Sequence, residues 1–366
     1  MTLPGSYTFT LLLLLLSMLC WGSWANTFKV AGKWRFELFY FDFAIGVFVV
    51  AIIAAFTFGT LGLDGFSVMD DLQLAGKRQD MFAFAAGCVF NLANMLLMAA
   101  IAVAGMAVAF PVGIGLALII GVAVSYLVNP AGNPVLLAAG CIAILGAIIL
   151  DAKAFSVYTA YKAQLAAQAA AAEAEARAAD PTASSKPAPR KKKKKSASSG
   201  KGIVLALAGG VLMGLFYPIV ELARQGENGL GPYTIGLFFS VGVLLSTFVL
   251  NLFFMNLPVQ GQAIEFSDYF KGTVRQHLLG LVGGGLWYIG AISNFVAARA
   301  EGKALVGPAV SYAMGQGATL VSALWGLLVW KEFAEAESDV RILIGAMLIL
   351  FVAGLTAVSL APLYAR

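Results

Sequence analysis

Apolar residues lie in long unbroken blocks along the chain, separated by short polar loops and one long hydrophilic segment. A helix that crosses a bilayer needs about 20 consecutive, mostly apolar residues, and it satisfies its backbone groups within its own segment. The pattern therefore predicts an all-α integral membrane protein with about ten transmembrane helices. The blocks lie at roughly 6–28, 38–60, 81–104, 106–128, 134–152, 203–222, 233–255, 278–298, 304–330 and 341–363.

The composition supports this class. Of the 366 residues, 60% are hydrophobic and 12% are charged, whereas a soluble domain is about 45–50% apolar and about 25% charged. The three cysteines lie far apart inside apolar blocks, and His277 is the one histidine of the chain. We therefore expect no disulfide, no metal site and no cofactor. Since no nucleophile, base and orienting group form a recognisable set, we also expect no enzymatic activity.

The hydrophilic segment, residues 153–201, carries eleven of the 24 basic residues, including the run Arg190–Lys195. A basic run can indicate nucleic-acid binding, but between membrane spans it more often marks the cytoplasmic face, where it can contact anionic lipid. We predict a cytoplasmic linker, both termini outside, a location in the cell's inner (plasma) membrane and no nucleic-acid partner. Within the linker, Ala160–Ala179 has a helix-forming composition, and the remainder has the composition of a disordered segment.

The linker separates a first membrane repeat, residues 1–152, from a second, residues 202–366, each with five predicted spans. Because five is odd, the two halves would enter the membrane from opposite sides, and inverted repeats are typical of secondary transporters. A duplicated structural bundle without transport is the alternative. An offset of 197 aligns the halves in a common order: Asn91 with Tyr288, Gly105 with Gly302, Pro111 with Pro308 and Ser125 with Ser322.

Several segments resemble a known family of carriers. The segments Cys20–Asn26 and Gly32–Glu37, Asp42, and the stretch Gly87–Pro111 are similar to ureide permease-like proteins. These belong to the drug/metabolite transporter superfamily, beside its rhamnose–proton and glucose/ribose uptake branches. The resemblance implies uptake of a small polar solute such as a ureide, a nucleobase or a sugar, commonly driven by protons.

Two of the carboxylates inside the predicted spans are candidates for chemistry: Asp42 in span two, among phenylalanines, and Glu221 near the outer end of span six. A charge at mid-bilayer costs about 2.5–3.5 kcal/mol on insertion scales, so such residues are usually functional. Apolar neighbours disfavour the charged form and favour reversible protonation. We predict that Asp42 couples transport to protons and that Glu221 is the second candidate. The alternative for Asp42 is an interfacial ion pair with Lys33 or Arg35.

Amides and aromatic rings in the spans are candidates for solute binding. Asn91 and Asn94 share a helix face, where amides can bond a solute carbonyl or hydroxyl, or can instead bridge two helices. Tryptophan rings can stack on a ring-shaped solute, although interfacial belts are their ordinary place in membrane proteins. The predicted solute-binding residues are Asn91, Asn94, Trp21, Trp287, Tyr288, Asn294, Ser311, Tyr312 and Gln316.

Together these patterns predict a secondary active transporter that moves a small polar solute with protons as the coupling ion. An exporter of drugs or metabolites on the same scaffold is one alternative, and a non-transporting membrane protein is another.

Overall fold

The computed structural model describes residues 1–62, 64–104, 106–179, 199–226, 228–258, 262–331 and 336–364. Within these ranges the secondary structure is helical, which confirms the predicted all-α class. The α-helices are α1 Tyr7–Ser23, α2 Ala25–Ala31, α3 Phe36–Phe56, α4 Val68–Leu74, α5 Lys77–Ala104, α6 Met106–Val128, α7 Pro134–Ala179, α8 Ser199–Arg224, α9 Pro232–Asn256, α10 Val274–Ala298, α11 Pro308–Gly315, α12 Ala318–Leu324 and α13 Ser338–Leu360.

Nine helical stretches among the described residues are long and apolar enough to cross a membrane, and each coincides with a predicted span. The predicted fourth span corresponds to α6, whose described apolar part, Val112–Val128, is shorter. The protein is therefore a multi-pass membrane protein built from helices.

The fifth span continues well beyond the membrane. Helix α7 runs for 46 residues, through the alanine-rich stretch that the sequence marks as helix-forming. At about 1.5 Å per residue it is about 69 Å long, more than twice the roughly 30 Å thickness of the hydrocarbon core. The predicted disordered part of the linker at 180–198, with the proposed lipid-contacting run Arg190–Lys195, lies outside the described residues.

The ninth span is interrupted. Helix α11 ends at Gly315, α12 begins at Ala318, and a π-helical turn, Trp325–Val329, follows. Glycine lowers helix stability by about 1 kcal/mol relative to alanine, and Gly315 and Gly317 flank the break. Helix α12 is joined to α1, since the Ser322 hydroxyl donates to the Gly22 carbonyl at 3.0 Å.

Helices α3 and α10 approach each other backbone to backbone. A Cβ atom added at Gly284 would lie 1.9 Å from the carbonyl oxygen of Phe43, and one added at Gly46 would lie 2.1 Å from that of Leu281. Only glycine fits at either position without separating the helices, and such small-residue seams drive helix association in lipid.

Helices α5 and α9 repeat this contact. A Cβ atom added at Gly87 would lie 2.1 Å from the carbonyl oxygen of Phe239, and one added at Gly242 would lie 2.2 Å from that of Phe84. Each of these four residues lies 196 or 197 positions from its counterpart in the α3–α10 contact, and always in the other half of the chain. Two halves related by a two-fold axis would show this exchange of partners.

A third pair of glycines shows a similar exchange between the halves, at offsets of 192 and 201 positions. A Cβ atom added at Gly22 of α1 would lie 2.6 Å from the carbonyl oxygen of Ala318, and one added at Gly214 of α8 would lie 3.1 Å from that of Ala117. These contacts support the inverted repeat, which itself remains a prediction.

Candidate solute site and coupling site

Trp287 of α10 lies at the centre of a cluster of aromatic rings. Its ring stacks on Trp21 of α1, with centroids 5.9 Å apart, and on Phe239 of α9, also at 5.9 Å. Phe90 of α5 packs at 4.3 Å, and Phe43 of α3 at 6.3 Å. Rings from both halves of the chain thus meet around one indole, where the exposed rings of a membrane-interface belt would not lie.

A line of buried polar groups runs beside these rings and is centred on Asn294 of α10. The Asn294 amide donates to the carbonyl of Ser311 in α11 at 2.9 Å and to the hydroxyl of Ser17 in α1 at 3.4 Å. Its amide oxygen accepts from the hydroxyl of Tyr217 in α8 at 2.5 Å. Because a buried amide is costly to leave unpaired, Asn294 fixes the positions of three neighbouring helices.

Trp21 joins the ring cluster to the polar line. A Cβ atom added at Gly315 would lie 2.5 Å from the Trp21 ring and 3.2 Å from the Asn294 amide nitrogen, and one added at Gly290 would lie 2.6 Å from the same ring. These two glycines allow the indole to lie flat between α10 and α11. The indole nitrogen of Trp21 donates to the carbonyl of Trp287 at 3.1 Å, which fixes the ring's orientation.

Among the other predicted binding residues, Tyr312 and Gln316 lie close to this site. Tyr312 is fully buried and donates to the carbonyls of Met213 at 3.1 Å and Ala117 at 3.3 Å, so it fastens α11 to α8 and α6. Gln316 is half-buried at the break between α11 and α12. The structure therefore brings together Trp21, Trp287, Asn294 and Ser311, with Tyr312 beside Ser311 on α11 and Gln316 at the end of that helix.

Asn91, Asn94 and Tyr288 lie at helix–helix contacts instead. The Asn91 amide donates to the hydroxyls of Ser246 at 2.8 Å and Thr247 at 3.1 Å, both on α9. The Asn94 amide donates to the hydroxyl of Tyr40 on α3 at 3.0 Å. Tyr288 is fully buried, and its hydroxyl faces α9. This geometry favours the helix-bridging interpretation of Asn91, the alternative left open by the sequence.

Asp42 is 3% exposed, and both of its carboxylate oxygens have partners. The Tyr269 hydroxyl donates to Oδ1 at 2.5 Å, and Nδ1 of His277 lies 2.8 Å from Oδ2. Lys33 and Arg35 are not the partners, and Arg35 pairs with Glu37 at 2.6 Å. Asp42 lies on α3, and its two partners come from the 3₁₀ helix Phe266–Lys271 and from the start of α10, so the carboxylate connects the two halves of the chain.

Tyr269 is suited to remain a hydrogen-bond donor. It lies outside the membrane-spanning helices, and burial together with the neighbouring Asp42 carboxylate raises the pKa of its phenol above the ordinary value. The phenol therefore stays protonated at any physiological pH.

Glu221 belongs to a different kind of cluster. It forms an ion pair with Arg224 at 3.1 Å, in which each side chain is 5% exposed, and it accepts from the Asn129 amide at 2.9 Å. Breaking a buried pair of this kind leaves one charge without its counter-ion, which is strongly unfavourable. Glu221 is therefore held in an ion pair, whereas the partners of Asp42 are a phenol and an imidazole.

Comparison with known proteins gives the family. The ureide permease family model matches residues 39–201 and 188–361, which together cover most of the chain. The chain belongs to the ureide permease family. Ureide permease 4 of Arabidopsis thaliana is 24% identical over 93% of this chain and 94% of that protein, and ureide permease 2 of the same plant is 26% identical over 93% of each.

A solved crystal structure aligns with 99% of this chain and 100% of its own, at 17% identity and a TM-score of 0.56, so the two share a fold. As a member of the ureide permease family, the protein is a membrane transporter of small polar solutes.

Two residues of this ureide permease family member were not proposed from the sequence as partners of Asp42: His277 and Tyr269. His277 could have been proposed from the sequence, because a carboxylate in an apolar block needs a partner and the chain has one histidine. Tyr269 carried no signal, because it lies in a polar loop far from Asp42 in the sequence. Tyr217 was also missed, although it stands one helical turn before Glu221.

Proposed function

We propose that the protein is a proton-coupled secondary transporter with two inverted repeats of five helices. It carries a small, polar, ring-shaped solute of the ureide, nucleobase or sugar type across the cell's inner (plasma) membrane. The observation that carries the proposal is the buried Asn294 line beside the Trp21–Trp287 stack, at the point where rings from both halves meet. The exchanged glycine contacts support the repeats, because alternating access needs two halves of equivalent packing.

The chemistry of this site fits a flat polar solute. Ring faces such as those of Trp21 and Trp287 stack on a planar ring, and an amide such as Asn294 can both donate to and accept from the ring's edge. In the present conformation the aromatic rings pack on one another and Trp287 is 5% exposed. Binding therefore requires the two tryptophans to separate, which links occupancy of the site to movement of α1 against α10.

Asp42 is placed to couple this movement to protons. An ionised carboxylate accepts the hydrogen bonds of both Tyr269 and His277, which hold α3 to the 3₁₀ helix Phe266–Lys271 and to α10. A protonated carboxyl has lost one acceptor and becomes a donor, so the connection between the halves weakens. Protonation of Asp42 thereby favours a different arrangement of the halves, as proton coupling requires. Glu221 remains the second candidate.

The solute site can be tested with Asn294→Ala. We expect the variant to lose at least about tenfold in affinity for solute, because a buried amide that bonds a polar solute contributes about 1–2 kcal/mol or more. The measurement is counterflow in proteoliposomes with allantoin, uracil and glucose, together with thermal shift of the purified protein. Asn256→Ala, on an exposed asparagine at the end of α9, is the matched control and should bind as wild type. Absence of counterflow by the wild type with all three solutes would contradict the proposed function.

His277→Gln tests the partner of Asp42. Glutamine can still donate a hydrogen bond but, unlike histidine, cannot carry a positive charge beside the carboxylate. We expect solute exchange to persist, while uptake driven by a pH gradient becomes slower. An unchanged rate of this uptake would show that His277 only positions the carboxylate.

A further inference from the structure

A cavity of about 290 Å³ opens at the end of the bundle where α6 and α8 end, which is the outer end in the predicted orientation. Its lining includes Asn129, the buried pair Glu221 and Arg224, and the exposed pair Arg299 and Glu301. The formal charges cancel in pairs, so the cavity presents strong donors and acceptors without a net charge. An uncharged solute that carries both donors and acceptors matches such a lining.

The guanidinium of Arg224 has an unused donor. One terminal nitrogen donates to Glu221 at 3.1 Å and the other donates to the carbonyl of Phe295 at 2.5 Å. Its Nε is buried and has no hydrogen-bond partner among the described residues. Leaving a buried charged donor unpaired is costly, which points to a ligand or water that completes the arrangement.

We propose that this cavity is an outer recognition site for an uncharged solute with a urea-type group, a carbonyl flanked by N–H groups. Arg224 donates through Nε to the carbonyl oxygen, and Glu221 accepts from an adjacent N–H. The assignment rests on the proposed transport of such solutes and adds a second binding site to it. Sugars, which carry hydroxyls in place of the carbonyl and N–H pair, match this site less well.

One face of α8 leads from this cavity toward the central site. Tyr217, Glu221 and Arg224 are spaced by four and three residues, so they lie on the same side of the helix. Tyr217 bonds Asn294 at 2.5 Å, and about 10 Å of helix separates it from Arg224. A solute released from the outer site would therefore next meet the Asn294 line.

The test is Arg224→Lys, which keeps the charge opposite Glu221 and removes the Nε donor. Uptake of allantoin, a cyclic ureide, is measured in whole cells for entry from the outer face and in inverted vesicles for entry from the inner face. We expect the KM for outer entry to rise about tenfold or more, as loss of one charged hydrogen bond does, with little change in maximal rate or in the KM for inner entry. Arg275→Lys, on an exposed arginine at the other end of the bundle, should leave all values unchanged.

Direct binding of allantoin to the purified proteins separates this inference from the transport function. Wild-type protein should bind allantoin more tightly than the Arg224→Lys variant, whether or not transport is observed. Equal KM values for the variant and the wild type in whole cells would overturn the inference. So would an equal rise of KM on both faces, which would indicate a structural ion pair, or failure of the wild type to bind allantoin. Binding without transport would instead contradict the proposed function and leave the recognition site standing.

Discussion

Asp42→Asn is expected to abolish accumulation of solute against a gradient while leaving solute exchange near the wild-type rate. Asparagine resembles the protonated carboxyl in shape and in its ability to donate, but it cannot release a proton. The variant therefore keeps the neutral arrangement of the α3–α10 contact through the whole cycle. Counterflow and uptake driven by an imposed pH gradient, measured side by side in proteoliposomes, report exchange and coupling separately.

Glu37→Gln is the matched control, because Glu37 stands on the same helix but pairs with Arg35 near its start. It should retain accumulation. If Asp42→Asn also accumulates solute, the carboxylate is a structural tie between α3 and α10, and Glu221 becomes the remaining candidate for coupling.

Gly284→Ala is expected to lower the unfolding temperature by several degrees and to reduce the yield of folded protein. The added methyl group would lie 1.9 Å from a backbone carbonyl oxygen of the neighbouring helix. A backbone atom cannot move aside as a side chain does, so α3 and α10 must separate. Overpacking of this kind costs about 1–3 kcal/mol, and more where the backbone is the obstacle.

The equivalent change in the other half, Gly87→Ala, should have an effect of similar size, since its methyl group would lie 2.1 Å from the corresponding carbonyl. Gly345→Ala on α13 has open space around it and should be neutral or slightly stabilising. Thermal unfolding of the three variants in detergent measures this. A wild-type unfolding temperature for Gly284→Ala would contradict the close approach of α3 and α10.

The sequence was sufficient for the helices, because the apolar requirement of a bilayer acts on each segment separately. The sequence also marked Trp21, Trp287 and Asn294 as aromatic and amide side chains inside apolar spans, and the structure brings them close together, while their role in solute binding remains a prediction. The sequence could not show that Asn91 bridges two helices whereas Asn294 lies beside the aromatic rings. Both are amides in apolar helices, and the difference lies in the partner, which is a pair of hydroxyls on α9 for Asn91.

The partners of the two carboxylates, Asp42 and Glu221, were likewise only partly predictable from the sequence. Burial of Asp42 follows from its phenylalanine neighbours, but its partners come from a loop and a helix more than 220 residues away. Glu221 differs from Asp42 because Arg224 stands one turn later on the same helix, and this local spacing was readable from the sequence. An acidic residue followed three positions later by arginine is a candidate for an ion pair before it is a candidate for proton exchange.

The break between α11 and α12 separates the helix bonded to the candidate binding site from the helix bonded to α1. Helix α11 carries Ser311, which is bonded to Asn294, whereas α12 is fastened to α1 through Ser322. A tilt of α11 would bend the chain at Gln316 while α12 keeps its bond to α1, so the short segment between the two helices is where movement at the binding site would be absorbed.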